Sequence, residues 1–380
     1  MRPRATRLMA LDEAVRRLAA LVSGPVAPRL VAPAEALGRT LAEAVTARTA
    51  LPPRPLAARD GWAVLATETE GAGAYAPAPL AQPPLLVAPG TPMPPGRDAV
   101  LALFDLDADG PLPQALQPVA QGEGVLPAGE DWPAGSVLRA AGEVLRPFDL
   151  PALAALGVTG VAVRVPRVAW LPVGDAIVAD PAQETLGAMF AVLVAAAGGA
   201  LTRLESVPDA PSAIAVALRS AAAAHDLVLT AGGTGEGTTD QTARGLADAG
   251  RVLVHGIGLC PGTTSGFGAV DGVPVVMLPG SVGDALAAWL VLAAPVLALL
   301  AGRAEAPPSR ARLVGKIASV VGIAELVALR PEADGRVVAV TVGALPLHAL
   351  GTGLFALIPA ASEGAEDGAL LPLLTPSPAP

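Results

Sequence analysis

The stretch 226–240, DLVLTAGGTGEGTTD, constrains this chain most. Leu227, Val228 and Leu229 are apolar in succession, the pattern of a strand covered on both faces. Gly232, Gly233, Gly235 and Gly237 then remove side chains where a backbone turns sharply or approaches a ligand closely. Asp240 opens an alanine-rich helical run closed by Gly250 and is a candidate N-cap. Strand, glycine loop and helix start together present backbone N–H groups and the positive end of a helix dipole, which suits an anion. The same pattern also serves as a plain structural turn, and on its own the stretch leaves both readings open.

Its flanks place it in a layered domain. Over 167–302, the strand-like runs VAWLPVGD, ALTRLESV, DLVLTA and VPVVMLPG alternate with helical runs at 181–197, 212–224 and 283–301. This alternation predicts a mostly parallel sheet with right-handed crossovers and ligands outside the carboxyl ends of the strands. RVLVHGIGL leads to an edge strand or a loop. Asp175, Asp209, Asp240 and Asp284 all stand at or just past strand ends. Each has a structural alternative: Ser281-x-x-Asp284 fits a capping box, for example. Four carboxylates on one rim exceed what capping requires and suit a cation-linked anionic ligand.

The remaining chain reads as further domains. Residues 8–21 have helical periodicity, and a second amphipathic run covers 33–45. Prolines forbid helix over 49–64, where Asp60-Gly61 marks a turn; Asp60 either accepts turn N–H groups or serves a site. Short proline-broken strands follow over 75–131, and a short helix spans 150–156. Beyond a linker after Gly302, β-branched runs separated by turns predict a small C-terminal β-barrel, and 375–380 reads as a frayed tail. The expected fold class is α/β multidomain. Its parts are an elongated helical/β first domain (1–50 and 140–166), a small β domain (51–139), a three-layer αβα domain (167–304) with a mostly parallel sheet, and a C-terminal β-barrel domain (305–380).

Composition excludes several function classes. The net charge is −9 and Lys316 is the sole lysine, with no basic cluster interleaved with aromatics, so no nucleic-acid partner is expected. The most apolar run, 285–301, contains Pro295 and directly follows a strand; it reads as a buried helix, and no membrane partner is expected. Residues 1–10 carry arginines without an apolar core, so no signal peptide is read there. Cys260 is the sole cysteine, which rules out an intrachain disulfide and fits a cytoplasmic location. Three scattered histidines make no metal cluster, although carboxylates with water can still hold magnesium.

The order of the motifs resembles the molybdopterin molybdenumtransferase family, known as MoeA and the gephyrin E domain, over nearly the whole chain. RDGWAV (59–64) is similar to the family's MDGYAV, and PGTPMPPGRDAV (89–100) to its TGAPLP-type stretch. PAGEDWPAGSVL resembles its GED segment, and PVGDAIV its TGDEL. GGTGEGTTD looks like GGVSVGxxD, CPGTTSGFG like KPGKPxxFG, and LPGSVGDA like LPGNPVSA. The resemblance implies insertion of molybdate into adenylylated molybdopterin with release of AMP, using magnesium. It also implies that the αβα domain over 167–304 is MogA-like and binds molybdopterin, and that the protein is an elongated homodimer whose site is shared between subunits. Carried onto matching positions, it implies catalytic roles for Asp60, Asp209 and Asp240, with Asp240 and Asp209 as magnesium ligands. Gly232, Gly233, Gly235, Gly237, Asp175, Cys260, Pro261, Gly262, Thr263, Pro279, Gly280 and Ser281 would bind the pterin nucleotide.

Departures from the pattern concern positive charge. Both lysines of KPGKP are replaced, by Cys260 and Thr263. The glutamate of TGDEL is Ala176, the threonine of the TGAP stretch is Pro89, and the loop serine is Gly235, followed by the added acid Glu236. Asn and Pro of LPGNP are Ser281 and Val282, and arginine is absent just before GED. A desolvated dianion needs cations or many N–H donors, so these losses bear on anion affinity. Cys260 is read as a small space-filling thiol or, alternatively, as a soft molybdenum ligand. The alternative function is a catalytically impaired accessory paralogue that binds molybdopterin or finished cofactor and serves a molybdoenzyme client.

Overall fold

The computed structural model describes residues 8–235, 237 and 240–376. Residues 44–140 and 148–159 form one compact unit; the remaining described residues form the other.

The smaller unit is built from short antiparallel strands. Gly61–Val64 is the centre of a three-stranded sheet, between Leu85–Val87 and Ala99–Leu101. Val64, Leu80, Ala99 and Leu101 anchor its core. Gly61 is required at this place: a Cβ there would fall 2.3 Å from the Leu101 carbonyl oxygen. Asp60 stands at the bend that leads into this strand, and its carboxylate accepts no hydrogen bond from any described residue. The reading of Asp60 as an acceptor of turn N–H groups is therefore corrected.

The larger unit holds the three-layer core. We number its main sheet β1 Arg167–Pro172, β2 Ala200–Arg203, β3 Leu227–Ala231, β4 Arg251–His255, β5 Gly266–Val270 and β6 Val273–Leu278. The strand order is β2-β1-β3-β6-β5-β4. The first four strands are parallel; β5 turns back against β6, and β4 closes the edge antiparallel to β5. Successive residues face opposite layers. Trp170, Leu229 and Val276 pack with the helices Leu186–Ala196 and Val282–Ala288. Ala169, Leu171, Val228 and Val275 pack with Pro211–Ala224 and Thr242–Ala249. Burial on both faces is why these strands read as unbroken apolar runs.

Residues 282–301 form a continuous helical run, with a π-turn at Trp289–Ala293 just before Pro295. By length and apolarity it is long enough to cross a membrane, yet 72% of its most apolar window is buried inside this unit. Trp289 meets Phe190 edge-on at 5.7 Å, and Phe190 stacks on Trp170 at 4.6 Å. The helix expected over 8–21 is present as Leu11–Ala19, burying Leu11, Ala14 and Leu18. The second expected helix, over 33–45, is absent. Pro33 opens a turn with bonds from Glu35 and Ala36 back to Ala32, Gly38 ends it at φ +74, and Thr40–Leu41 pairs with Val161–Arg164. Amphipathic spacing was outweighed there by a left-handed glycine within two turns of the start.

The C-terminal strands close into a ring. Ala324–Pro331 pairs with Val337–Thr341 and with Phe355–Ile358; Arg310–Val314 joins Val337–Thr341 to Leu370–Pro372. Phe355 and Leu374 exchange backbone bonds of 2.9 and 2.8 Å and complete the circuit. Val327, Leu329, Val337 and Ile358 fill it. The short strand Leu259–Cys260 adds itself parallel to Ala324–Glu325, a pairing with no signal in the sequence.

Candidate functional site

The glycine loop leaves the carboxyl end of β3 under tight steric control. Gly232 has φ +97, and a Cβ there would fall 2.4 Å from the Val173 carbonyl oxygen. Gly233 has φ +62; a Cβ there would lie 2.6 Å from Thr242 Oγ1 and 3.3 Å from Asp209 Oδ1. A Cβ at Gly235 would lie 2.7 Å from Asp240 Oδ2. Glycine is therefore demanded by neighbours as well as by conformation. Thr242 ties the loop down, donating its hydroxyl to Gly232 O at 2.8 Å and its N–H to Gly233 O at 3.0 Å.

Two of the expected cradle donors are already engaged. Gly232 N–H donates to Leu278 O at 3.1 Å, and Gly237 N–H donates to Asp240 Oδ2 at 2.8 Å. Gly233 and Gly235 keep N–H groups with no partner among the described residues. Asp240 is not the N-cap. Gln241 holds that position before Thr242–Ala249, and the Asp240 carboxylate folds back onto the loop instead. Glu236 lies outside the described residues.

The other rim carboxylates divide into two roles. Asp175 and Asp209 clasp two loops reciprocally: Asp175 N–H donates to Asp209 Oδ2 at 3.0 Å, and Asp209 N–H donates to Asp175 Oδ1 at 3.1 Å. Asp209 Oδ1 is left beside Gly233. Asp284 lies in the first turn of a helix capped by Ser281: its N–H donates to Ser281 Oγ at 3.3 Å, and that hydroxyl donates in turn to the Asp284 carboxylate. Ser281 is thus engaged at the start of Val282–Ala288, just after Pro279 and Gly280. Gly280 lies against Gly232: a Cβ there would come within 3.6 Å of Gly232 Cα. Pro172, Ile177, Thr185, Ala231, Gly232 and Gly280 line a small cleft of about 50 Å³ at these strand ends.

No three His, Cys, Asp or Glu side chains converge as a metal set among the described residues. Asp209 and Asp240 nonetheless fit magnesium chemically. Both present hard carboxylate oxygens against the same glycine loop, and magnesium commonly takes one or two carboxylates with phosphate and water.

The CPGTT loop lies beside this rim. The Cys260–Pro261 peptide is cis, and Gly262 has φ +113 with a Cβ position 3.1 Å from Leu259 Cδ2. Thr263 accepts from Ile257 N–H at 3.0 Å through its carbonyl. Thr264 Oγ1 meets Thr234 Oγ1 at 3.3 Å and joins this loop to the glycine loop. Cys260 Sγ donates to Gly343 O at 3.2 Å. Burial, then the negative charges of Glu325 and Asp284, push the thiol above its ordinary range. A thiol pushed upward in this way ionises less readily than a free one.

Several residues near the loop had no signal in the sequence. His255 Nε2 donates to Thr234 O at 2.8 Å, from the end of an edge strand. Arg244 is exposed on the helix after the loop and donates to Gln241 Oε1 at 3.2 Å. Spacing alone does not reveal that 255 returns to 234. Asp60 belongs to the smaller unit, exposed above an apolar shelf formed by Leu85, Leu86, Val87, Pro92 and Leu103.

Comparison with known proteins agrees with these features. Residues 9–157 match the family MoeA N-terminal region (domain I and II), and 169–299 match the family Probable molybdopterin binding domain. The chain is similar to molybdopterin molybdenumtransferase 1 of Mycobacterium tuberculosis, 28% identical over 361 residues covering 83% of this chain and 84% of that protein. It is also similar to the molybdopterin molybdenumtransferase of Haemophilus influenzae, 26% identical with 78% and 79% covered. The crystal structure of a molybdopterin biosynthesis MoeA protein from Pyrococcus horikoshii superposes with a TM-score of 0.81 at 26% identity, covering 97% of this chain and all of that one. With the two families matched in tandem and the fold shared end to end, this chain belongs to the MoeA family.

Proposed function

We propose that this protein acts in molybdenum cofactor biosynthesis, inserting molybdate into adenylylated molybdopterin and releasing AMP. The carrying observation is the glycine loop, which holds Asp209 and Asp240 beside the unpartnered N–H groups of Gly233 and Gly235. Those N–H groups suit phosphate or molybdate oxygens. Asp209 and Asp240 would hold magnesium, which neutralises phosphate charge when bound. Asp240 also fixes the loop through Gly237, so one side chain serves both shape and charge. The motif order supports a homodimer in which Asp60 of one subunit completes the site of the other, and the sole cysteine supports a cytoplasmic location. The decisive experiment supplies adenylylated molybdopterin, molybdate and magnesium and measures AMP. Folded protein that releases no AMP above buffer would refute the transferase.

One observation favours a second reading, the accessory paralogue that binds pterin and serves a molybdoenzyme. Where relatives of this motif carry lysine, the Cys260 thiol is turned to Gly343 O beside an acid. Cofactor binding by calorimetry without AMP release is the result this second reading expects.

A further inference from the structure

Gly233, Thr234 and Gly235 carry three successive backbone N–H groups with no partner among the described residues. Successive N–H groups in a turn make a concave site for an anion. Each of the three belongs to a peptide whose carbonyl is held from behind. Gly232 O accepts from the Thr242 hydroxyl at 2.8 Å, Gly233 O from the Thr242 N–H at 3.0 Å, and Thr234 O from His255 Nε2 at 2.8 Å. A carbonyl oxygen only accepts, so Nε2 carries the proton.

The last of these bonds comes from the edge of the sheet. His255 ends β4, opposite Gly266, and reaches back 21 positions to Thr234. Thr234 is 3% exposed, and its Oγ1 meets Thr264 Oγ1 at 3.3 Å, so the residue is gripped at side chain and carbonyl alike. Gly235 is only half-buried and has no side chain to hold it. Its N–H is oriented by the peptide plane that it shares with the Thr234 carbonyl. That peptide is trans and planar, with C=O and N–H pointing in opposite directions. Drawing the carbonyl towards His255 therefore turns the Gly235 N–H away from the imidazole. The glycine would otherwise let this peptide rotate at little cost. The bond also polarises the peptide and makes its N–H a stronger donor. Cys260 and Thr263 stand where the family pattern has lysine, so N–H donors must carry more of the charge of an oxyanion bound here.

We infer that His255 is a positioning residue: through the Thr234 carbonyl it aims the Gly235 N–H at the oxyanion held by the glycine loop. This deepens the proposed function and rests on its reading of the loop as an anion site. Thr242 does the same for Gly233 from the helix that follows the loop, whereas His255 acts from the strand that leads into CPGTT.

The test follows the Gly233 and Gly235 amide resonances of the ¹⁵N-labelled full chain during titration with inorganic phosphate. In the wild type both amide protons should move downfield. His255→Phe keeps a ring but removes the donor. It should raise the phosphate dissociation constant about tenfold, the scale of one hydrogen bond to a charged group. At saturation it should abolish the shift at Gly235 while sparing that at Gly233, whose peptide Thr242 holds. His255→Gln, whose amide can donate in place of Nε2–H, should restore the Gly235 shift. A wild-type Gly235 amide that ignores phosphate would overturn the inference, and that measurement needs no variant to fold. So would an unchanged Gly235 response in folded His255→Phe, or a folded His255→Gln that behaves like it. Equal loss at both glycines would also overturn it, because a merely structural histidine loosens the whole loop. AMP release is scored separately. The Gly235 signature without AMP release keeps the inference and sinks the transferase; release with the same kcat and KM in wild type and His255→Phe does the reverse.

Discussion

Cys260 and Glu325 show what a single substitution does to a site. Where the family pattern has lysine, this loop carries a thiol, and a buried acid stands beside it. Alkylation by iodoacetamide should therefore be slow at pH 7.5 and accelerate only above the usual thiol range of about 8.5. Glu325→Gln removes one of the charges that raise this pKa, so its alkylation profile should move to lower pH; an unmoved profile would separate the two residues. Asp240 is the carboxylate on which the proposed chemistry depends most. Asp240→Asn should cut AMP release by about 10²-fold or more while thermal unfolding shifts little, because the amide still accepts from Gly237. Asp209 and Asp240 were legible in the sequence because they stand just past strand ends, and Asp60 because it precedes a turn glycine. The Asp175–Asp209 clasp was not, since reciprocal bonding across 34 positions leaves no local pattern.

At the level of elements, β1 and β3 are tied together at their amino ends by Arg167 and Asp226. Arg167 donates its backbone N–H to Asp226 Oδ2 at 2.7 Å and its guanidinium to Oδ1 at 2.9 Å. Burial raises the Asp226 pKa, but the bonds from Arg167, with the charges of Arg167 and His225, outweigh it and leave the carboxyl below its usual value. A lowered folded-state pKa gives stability that is present above the unfolded value and is lost as pH falls through the folded one. Asp226→Asn should cost about 1 kcal/mol at pH 7, kept small by the exposed guanidinium, and the deficit should be smaller at about pH 3, where pH has fallen below the unfolded carboxylate value and towards the lowered folded one. Urea unfolding at both pH values checks this. At the other end of β3, Gly232→Ala meets both positive φ and the Val173 carbonyl, and should destabilise by about 1–3 kcal/mol. The strands of this sheet were readable because burial on both faces makes them continuously apolar. The missing helix over 33–45 shows the reverse: helical spacing persisted where Pro33 and Gly38 allowed only a turn.

For the whole molecule, the homodimer proposal has a direct measurement. Asp60→Ala and Asp240→Ala proteins, each inactive alone, should recover roughly a quarter of wild-type AMP release after subunit exchange. Half of randomly exchanged dimers are mixed, and each mixed dimer retains one intact site. No recovery from subunits shown to exchange would mean that Asp60 and Asp240 act within one subunit or that Asp60 has no role.

By itself the sequence determined the layered α/β core, the glycine loop and the run of aspartates at strand ends, because burial periodicity and turn chemistry are local and are written residue by residue. Only the tertiary structure decided how the loop 226–240 is used. It turned Asp240 away from the helix cap, engaged two glycine N–H groups, left two without a partner among the described residues, and brought Thr264 and His255 back to Thr234. It also placed Glu325 from the C-terminal ring against Cys260. Contacts between residues far apart in the chain depend on how whole layers pack, and no short-range pattern encodes them.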